Sequence, residues 1–327
     1  MVKKVELHNH LEGTAPPALI QKIGERNGFK LPNGIVSNCG NHFIWNDFLQ
    51  FLDAYEQASQ VIKQPIDYYD LTYDYLKRCA HEEAIYVEML YSPEHAENSS
   101  GIPSKEHMVA IVEAIDSAEN DFGIIGRIIN CAVRHYGIDA CESVAKRLHT
   151  ESHDYIVGYG LAGDEQGFPP AQFKRAFDIA KDADVGRTVH AGEMEGPELI
   201  KQALNHLNVS RLGHGVRAIE DDELMARLKD ENIHLELCPS SNIALSVYPD
   251  FNAHPLREIY DYGLNLSLNS DDPPYFKCTL GGEYELAKTH FGFNDEELKH
   301  ISLMAVDAAF VDDTIKSTLR KRIKDDK

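Results

Sequence analysis

Short β-prone runs recur along the whole chain and alternate with longer stretches of helical periodicity. In the second half, about 23 to 32 residues separate one run from the next, which is the size of one βα unit. Eight such units close into a parallel barrel. The alternation therefore predicts an α/β fold, a (β/α)8 barrel of the TIM type. The predicted strands are Lys4–His8, Ala84–Tyr91, Gly126–Val133, Tyr155–Leu161, Gly186–His190, Arg211–Gly213, Ile233–Leu237 and Leu264–Asn269.

The interval between the first two predicted strands is too long for a single βα unit. It carries helical patterns at Pro17–Asn27, Trp45–Val61 and Pro65–Ala84. We expect extra helices inserted after strand 1, roughly at residues 15–83, that partly cover one mouth of the barrel. No linker or repeat interrupts the 327 residues, so we expect one domain, residues 1–327. Further predicted helices are Ala171–Asp182, Gly196–Leu207, Asp221–Glu231, Leu256–Tyr262 and a charged terminal helix at Ile315–Lys327.

The chain is acidic, with a net charge of -21 and a pI near 5.1. This balance argues against nucleic-acid binding, because phosphate recognition requires a basic surface. The first residues lack the apolar core of a signal peptide, and no apolar run approaches the ~20 residues that span a bilayer. We therefore expect a cytoplasmic protein that binds neither nucleic acid nor a membrane. The sequence leaves the oligomeric state open.

Six cysteines are scattered along the chain without a Cys-x-x-Cys pair. This spacing excludes a zinc site built from cysteines. We expect reduced thiols, several of them packed as small apolar residues. They are Cys39, Cys79, Cys131, Cys141, Cys238 and Cys278.

Histidines and carboxylates follow several predicted strands, at the end where barrel enzymes place their catalytic groups. Strand 1 ends at His8, and His10 follows two residues later. In an extended chain, residues i and i+2 point to the same side, so both imidazoles can reach one ion. Strand 5 ends at His190, with the carboxylate of Glu193 three residues further on. Taken alone, each of these features is also typical of incidental core or surface residues.

Two more strand ends carry similar groups. Strand 6 is followed by His214, which lies between two glycines, and strand 8 is followed by Asp271 and Asp272. Two adjacent carboxylates are costly unless a positive charge lies opposite them. Four strand ends that each present a ligand together indicate a metal site. Imidazoles and a carboxylate suit Zn²⁺, with Fe²⁺, Mn²⁺ or Co²⁺ as alternatives.

Five short motifs resemble, in the same order, those of the adenosine deaminase family, and the similarity covers essentially the whole chain. Each motif is short, but the ordered set is highly specific. The motifs are Val5–Gly13, Leu161–Glu165, His190–Glu193, Arg211–Gly215 and Ser267–Pro273.

The resemblance implies a hydrolytic deaminase that holds one zinc ion per chain. Its ligands would be His8, His10, His190 and Asp271, together with a catalytic water. Loss of a purine 6-amino group requires hydroxide at C6, and zinc supplies it by lowering the pKa of bound water to about 7.

The resemblance also implies roles for residues around the purine. Glu193 would donate a proton to purine N1, and His214 would orient the water and take its proton. Asp272 would donate a hydrogen bond to N7, and it can do so only while its carboxyl is protonated. Proton donors of this kind contribute about 10²–10⁴-fold in rate. The expected substrate-binding groups are His10, Glu12, the backbone N–H of Gly163, which would meet purine N3, and Asp272.

The substrate is expected to be a small purine, but the motifs give conflicting indications of which one. Glu12 is more typical of adenine deaminases, because adenosine enzymes often carry aspartate at this position to reach the ribose. The motifs at 161–165 and 212–215 look like those of the adenosine branch. Two motifs against one favour deamination of adenosine and 2′-deoxyadenosine to inosine and ammonia, in purine salvage. The alternative is an adenine deaminase, or a deaminase of another 6-aminopurine metabolite.

The apolar residues of the first inserted segment recur at helical spacing. We expect this helix to pack its apolar stripe on the barrel, and the alternative is a lid over the ribose. The residues are Trp45, Phe48, Phe51 and Leu52.

Other classes of protein fit the sequence less well. Cytidine-type deaminases pair His-x-Glu with Pro-Cys-x-x-Cys; here His234 and Glu236 occur without that partner motif, so we interpret them as one face of an ordinary strand. Binuclear barrel hydrolases need a bridging Lys or Glu on strand 4, which ends without one. A non-catalytic relative would typically lack Glu193 or His214, and both are present.

Overall fold

A computed structural model describes residues 2–325. Its eight strands form one parallel sheet in which each strand pairs with the next along the chain, from β1 to β8. The (β/α)8 barrel predicted from the alternation is thereby confirmed. The strands are β1 Lys4–Glu6, β2 Ala84–Tyr91, β3 Ile125–Val133, β4 Ile156–Ala162, β5 Gly186–Ala191, β6 Arg211–His214, β7 His234–Leu237 and β8 Asn265–Leu268.

Helices surround the barrel, and the first three lie between β1 and β2, as the long first interval predicted. The helices of the described residues are α1 Pro17–Asn27, α2 Phe48–Ser59, α3 Pro65–His81, α4 Pro93–Ser100, α5 Ser104–Phe122, α6 Ile138–Thr150, α7 Lys174–Asp182, α8 Pro197–His206, α9 Asp222–Asp230, α10 Pro239–Ala244, α11 Leu256–Tyr262, α12 Pro273–Phe276, α13 Leu280–Phe291, α14 Asp295–Ala308 and α15 Asp313–Lys324.

The barrel closes between the segments that follow β1 and β8. Asn9 forms a parallel bridge with Asp271, where Asp271 N donates to His8 O and His10 N donates to Asp271 O, both at 3.2 Å. His10 also bridges to Leu90 in β2. The pairing that closes the ring therefore belongs to the same residues that the sequence predicted as metal ligands.

Two predicted elements end earlier than expected. β1 ends at Glu6 rather than His8, because the chain beyond it pairs with the end of β8 instead of continuing the β1–β2 ladder. α3 ends at His81 rather than Ala84, and Glu83 adopts a left-handed conformation with φ of 68°, which cannot continue a helix.

The start of α2 also differs from the prediction. The helix begins at Phe48 rather than Trp45, because the Asp47 side chain caps it by accepting a hydrogen bond from Gln50 N at 2.9 Å. At the other end of the chain, residues 326–327 of the predicted terminal helix lie outside the described residues.

An aromatic residue plugs the amino-terminal end of the barrel. The Phe310 ring lies 3.6 Å from the Arg211 guanidinium carbon, measured to the ring centroid, in a cation–π contact. A Cβ at Gly186 would lie 2.0 Å from the same ring, so β5 requires glycine there. Arg211 also donates to Glu88 Oε2 at 2.6 Å, and Glu88 Oε1 accepts from Phe310 N at 2.7 Å. A buried ion pair therefore anchors the plug.

The six cysteines are free thiols, as expected, and four of them are buried: Cys79, Cys131, Cys141 and Cys238. Within residues 2–325, none of the helices has the length and apolar character needed to cross a membrane.

Candidate metal and purine site

The four predicted metal ligands meet at the carboxyl end of the barrel. Asp271 Oδ1 lies 3.5 Å from His10 Nε2 and 3.7 Å from His8 Nε2. His10 Nε2 lies 3.2 Å from His190 Nε2. Ligand atoms of the three histidines lie within 4.8 Å of one another. The structure thus brings together side chains from β5 and from the segments after β1 and β8.

Hydrogen bonds orient two of these imidazoles. His8 Nδ1 donates to Glu236 Oε2 at 2.8 Å, and His190 Nδ1 donates to Leu161 O at 3.2 Å. Each ring therefore turns an Nε2 lone pair toward the centre of the cluster. The buried His8 Nε2 has no hydrogen-bond partner among the described residues. Converging nitrogen lone pairs beside a carboxylate are the donor set that a divalent cation such as Zn²⁺ takes.

The electrostatic environment keeps the imidazoles of His10 and His190 in the ligand form. Burial lowers the pKa of His10 to about 4, and burial followed by the neighbouring His8 lowers the pKa of His190 well below its usual value. Both rings are therefore neutral at physiological pH, as coordination requires.

Glu236 has a role that the interpretation as an ordinary strand face missed. Besides accepting from His8, it accepts from Thr188 Oγ1 at 3.0 Å and contacts Arg211 Nε at 2.6 Å. Burial alone would raise the pKa of Glu236, but Arg211 and His8 lower it to about 2. A permanently charged carboxylate thus fixes the tautomer of His8. His234, the other residue of the His-x-Glu pair, is buried at the start of β7. It has no hydrogen-bond partner in the described part of the chain.

His214 and Glu193 face each other beside the ligands. His214 Nε2 lies 3.5 Å from Glu193 Oε2 and 3.9 Å from Asp271 Oδ2. On its other side, His214 Nδ1 accepts from Asn242 Nδ2 at 3.3 Å, and Asn242 Oδ1 accepts from His254 Nε2 at 3.1 Å. Because Nδ1 accepts, the neutral ring of His214 carries its proton on Nε2, directed into the site.

The two carboxyls expected to donate protons lie where donation is possible. Burial, followed by the charges of Asp271 and Glu165, raises the pKa of Glu193 well above its usual value. Burial, followed by Asp271 and then Glu12, does the same for the pKa of Asp272. These shifts favour the protonated form of both carboxyls, which is the state that the predicted roles require.

Glu12 lies beside Asp272 rather than beside the ligands. Its Oε1 accepts from Tyr68 Oη at 3.1 Å, and its buried Oε2 has no hydrogen-bond partner within residues 2–325. Burial raises the pKa of Glu12 to about 7. A Cβ at Gly13 would lie 1.6 Å from Asp272 Oδ1, so the position after Glu12 must be glycine for Asp272 to occupy its place.

Most of the predicted site residues line one cavity of about 560 Å³. Glu12 and His8 do not line it; the predicted residues on its wall are His10, Gly163, His190, Glu193, His214, Asp271 and Asp272. Phe48, Phe51 and Leu52 of α2 also line the cavity, while Trp45 Nε1 donates to Tyr275 O at 3.1 Å. The inserted helix therefore packs on the barrel, as predicted, and the same apolar stripe also lines the cavity.

Comparison with known proteins identifies the family. The adenosine deaminase family model matches residues 3–326 of this sequence. The chain belongs to the adenosine deaminase family. The family resemblance of the five motifs is thereby confirmed, and so is the prediction of a hydrolytic deaminase acting on a small purine.

Relatives within the adenosine deaminase family share both sequence and fold with this chain. An adenine deaminase of Agrobacterium fabrum is 42% identical over 322 residues, covering 98% of this chain and 98% of that protein. The crystal structure of an adenine deaminase from Arthrobacter aurescens matches with a TM-score of 0.91 at 31% identity, covering 99% and 98%. An amidohydrolase from Burkholderia ambifaria, solved with bound Zn, matches with a TM-score of 0.88 at 27% identity, covering 99% and 90%.

The deaminase site also contains residues that the sequence prediction passed over. Ser92, His95, His135 and Tyr136 also line the cavity. Ser92 directly follows β2, and His135 lies two residues beyond β3. The strand-end rule that identified the ligands would have found both, had it been applied to strands 2 and 3.

Proposed function

We propose that this member of the adenosine deaminase family is an adenine deaminase, which hydrolyses adenine to hypoxanthine and ammonia. The observation that carries the proposal is Glu12, buried next to Asp272, which lines the cavity. Relatives at 42% and 31% identity are named adenine deaminases, which supports it. The preference for adenosine drawn from the sequence is thus reversed in favour of its stated alternative.

The two motifs that favoured adenosine are poor guides to the substrate, for a physical reason. Leu161 O accepts the hydrogen bond that orients the His190 ring. A Cβ at Gly213 would lie 2.9 Å from His8 Cε1 and 3.1 Å from His190 Nδ1. Both motifs therefore contain residues that position the metal ligands, which adenine and adenosine enzymes need alike, whereas Glu12 lies beside Asp272.

Glu12 distinguishes the two substrates by chemistry as well as by size. Free adenine carries a proton on its imidazole ring, whereas adenosine carries the sugar there. A buried carboxylate oxygen without a partner, such as Glu12 Oε2, can accept that proton's hydrogen bond. The same carboxylate would be left unpaired and crowded by a ribose, which penalises the nucleoside.

The reaction then follows from the groups around the base. His8, His10, His190 and Asp271 would hold Zn²⁺, which when bound supplies hydroxide at neutral pH. Glu193, whose raised pKa favours the protonated form, donates to purine N1 as charge develops there. The Nε2–H of His214 points to the space beside Glu193 and Asp271 and orients the nucleophile by donating to it, rather than acting first as a base. Asp272 donates to N7, and Gly163 offers its backbone N–H to N3.

A second candidate is a substituted 6-aminopurine, adenosine included. The cavity of about 560 Å³ extends past the purine wall to Ser92, His95 and Tyr136, so it has room for more than the bare base. A zinc-loaded preparation assayed by chromatography against adenine, adenosine, 2′-deoxyadenosine and N6-substituted purines tests both candidates. We expect hypoxanthine and ammonia from adenine in equal amounts; turnover of a nucleoside without turnover of adenine contradicts the proposal.

A further inference from the structure

The loop after β5 carries Glu193 and is held mainly through its backbone. Glu165 Oε2 accepts hydrogen bonds from Met194 N at 3.1 Å and from Glu195 N at 3.0 Å. From the other side, an Arg217 guanidinium nitrogen donates to Met194 O at 2.8 Å. The two residues that follow Glu193 are thus fixed by side chains from the neighbouring β4 and β6 loops.

A second anchor lies just before Glu193. Arg134, fully buried at the end of β3, donates to His190 O at 2.6 Å. Its charge lies close enough to Glu165 to lower the pKa of that carboxyl, although burial raises it on balance. Arg134 and Glu165 together therefore hold the loop at His190 and at Met194–Glu195, with Glu193 between the two points.

The carboxyl of Glu193 has little else to hold it. Its Oε1 is buried and has no hydrogen-bond partner within residues 2–325, and its Oε2 faces His214 at 3.5 Å, beyond good hydrogen-bond length. The direction of this side chain is therefore set by the backbone that carries it. A shift of about 1 Å in a reacting group can cost about 100-fold in rate, so this backbone must be fixed accurately.

We propose that Glu165 is a positioning residue for the deamination, and that its carboxylate holds the Glu193 loop so that Glu193 reaches purine N1. The proposal rests on the role of Glu193 given above. Glu165 is 3% exposed and acts through the backbone of Met194 and Glu195 rather than by touching the substrate.

Three substitutions separate the hydrogen bonds from the charge. Glu165→Gln keeps an acceptor oxygen at the same reach but leaves Arg134 less compensated. Glu165→Asp keeps the charge but withdraws the oxygen by one methylene, and Glu165→Ala removes both. We expect kcat to fall about 10- to 100-fold in the Asp and Ala variants and about threefold in the Gln variant, with KM within about threefold. Stability, measured by urea unfolding, should instead place the Asp variant above the Gln variant and the Ala variant lowest, because Arg134 keeps a charged partner only with Asp.

Asp164→Ala is the matched control. Its carboxylate also caps a backbone, accepting from Gln166 N at 3.0 Å and Gly167 N at 3.2 Å, but it does not hold the Glu193 loop. We expect its kcat to stay within about threefold of the parent. Bound zinc, measured for every variant, should remain at one per chain.

A double-mutant cycle gives the decisive readout. In a Glu193→Asp background the acid is already displaced, so Glu165→Asp should lower kcat by less than about threefold there. Equal losses in both backgrounds, parent-like kcat in Glu165→Asp, or a kcat order that follows stability would overturn the proposal. A Glu193→Asp enzyme with the parent's kcat would instead overturn the role of Glu193 itself, and the positioning role with it.

Discussion

Glu12 and Asp272 are neighbouring buried carboxyls, and their pKa values are shifted in the opposite direction from that of the adjacent ligand Asp271. The His214, His8 and His10 rings lower the pKa of Asp271 against the effect of burial, whereas burial raises the pKa of Asp272 and Glu12. Asp271 is therefore suited to bind a cation, whereas Asp272 and Glu12 are suited to form hydrogen bonds with a purine.

Shortening Glu12 should move the specificity toward the nucleoside. In Glu12→Asp the carboxyl withdraws by one methylene, which weakens its contact with the imidazole N–H of adenine and opens room for a ribose. We expect kcat/KM for adenine to fall about 10- to 200-fold and the ratio of adenosine to adenine turnover to rise, as measured by steady-state kinetics on both. Glu25→Asp, on the exposed face of α1, is the control. An unchanged ratio in Glu12→Asp would show that Glu12 does not face the purine.

Neutralising Glu236 should weaken the metal site, while Arg211 keeps its ion pair with Glu88. Glu236→Gln keeps an acceptor for His8 Nδ1 but removes the charge that fixes the ring. We expect zinc affinity, measured by competition with a chromophoric chelator, to fall about 10- to 100-fold. Affinity equal to the parent's would contradict the role assigned to Glu236.

The predictable part of the site is the part that local pattern encodes. His8 and His10 follow from their i, i+2 spacing at a strand end, and the family motifs supplied their companions. Glu236 and Glu165 act through partners distant in the chain: Glu236 lies 228 residues from His8. Pairings of that kind depend on the register between strands and on loop geometry, which no local pattern specifies.

The elements were predictable because each strand is a short buried run and each helix an amphipathic stretch. Their ends were less so. The start of α2 depends on the Asp47 cap, and the end of β1 depends on pairing with a segment more than 250 residues away. Such contacts are tertiary, so they override the propensity that sets the predicted boundary.

The plug at the amino-terminal end of the barrel gives an element-level prediction. A methyl group at Gly186 would collide with the Phe310 ring, and the ring is held by Arg211. We expect Gly186→Ala to lower the free energy of unfolding by about 1–3 kcal/mol, measured by urea denaturation. Gly196→Ala is the control, since its Cβ would meet nothing closer than 3.9 Å. Equal stability of the two variants would show that the Phe310 ring can move aside at little cost in free energy.

Across the whole molecule, closure of the barrel and assembly of the ligands are coupled through the bridge between Asn9 and Asp271. The order of eight strands followed from the alternation alone, but this coupling did not, because it arises where the first and last strands meet. Ligand binding beside this bridge should therefore stabilise the complete barrel rather than one loop.

Acid should destabilise the folded barrel through its buried neutral histidines, and His234 isolates the effect. Burial lowers the pKa of His234 to about 3, below the ~6.5 of an unfolded histidine. Between these values only the unfolded state binds the proton, so this contribution to stability is lost as pH falls below 6.5. In His234→Gln, the loss of unfolding free energy from pH 7.5 to pH 5 should be smaller than in the parent by up to about 2 kcal/mol.

The surface variant His149→Gln provides the comparison for that measurement, since His149 is exposed on α6. Urea unfolding at both pH values gives the difference directly. A pH dependence in His234→Gln that equals the parent's would mean that His234 is already protonated or hydrated in the folded state.

The most direct test of the account is the specificity ratio of one zinc-loaded preparation, with kcat/KM measured for adenine and for adenosine under the same conditions. The site built around Glu12, Asp272 and Glu193 predicts a ratio of at least about 100 in favour of adenine, because the nucleoside leaves a buried carboxylate unpaired. A ratio near one, or one that favours adenosine, would contradict the assignment of adenine as the substrate.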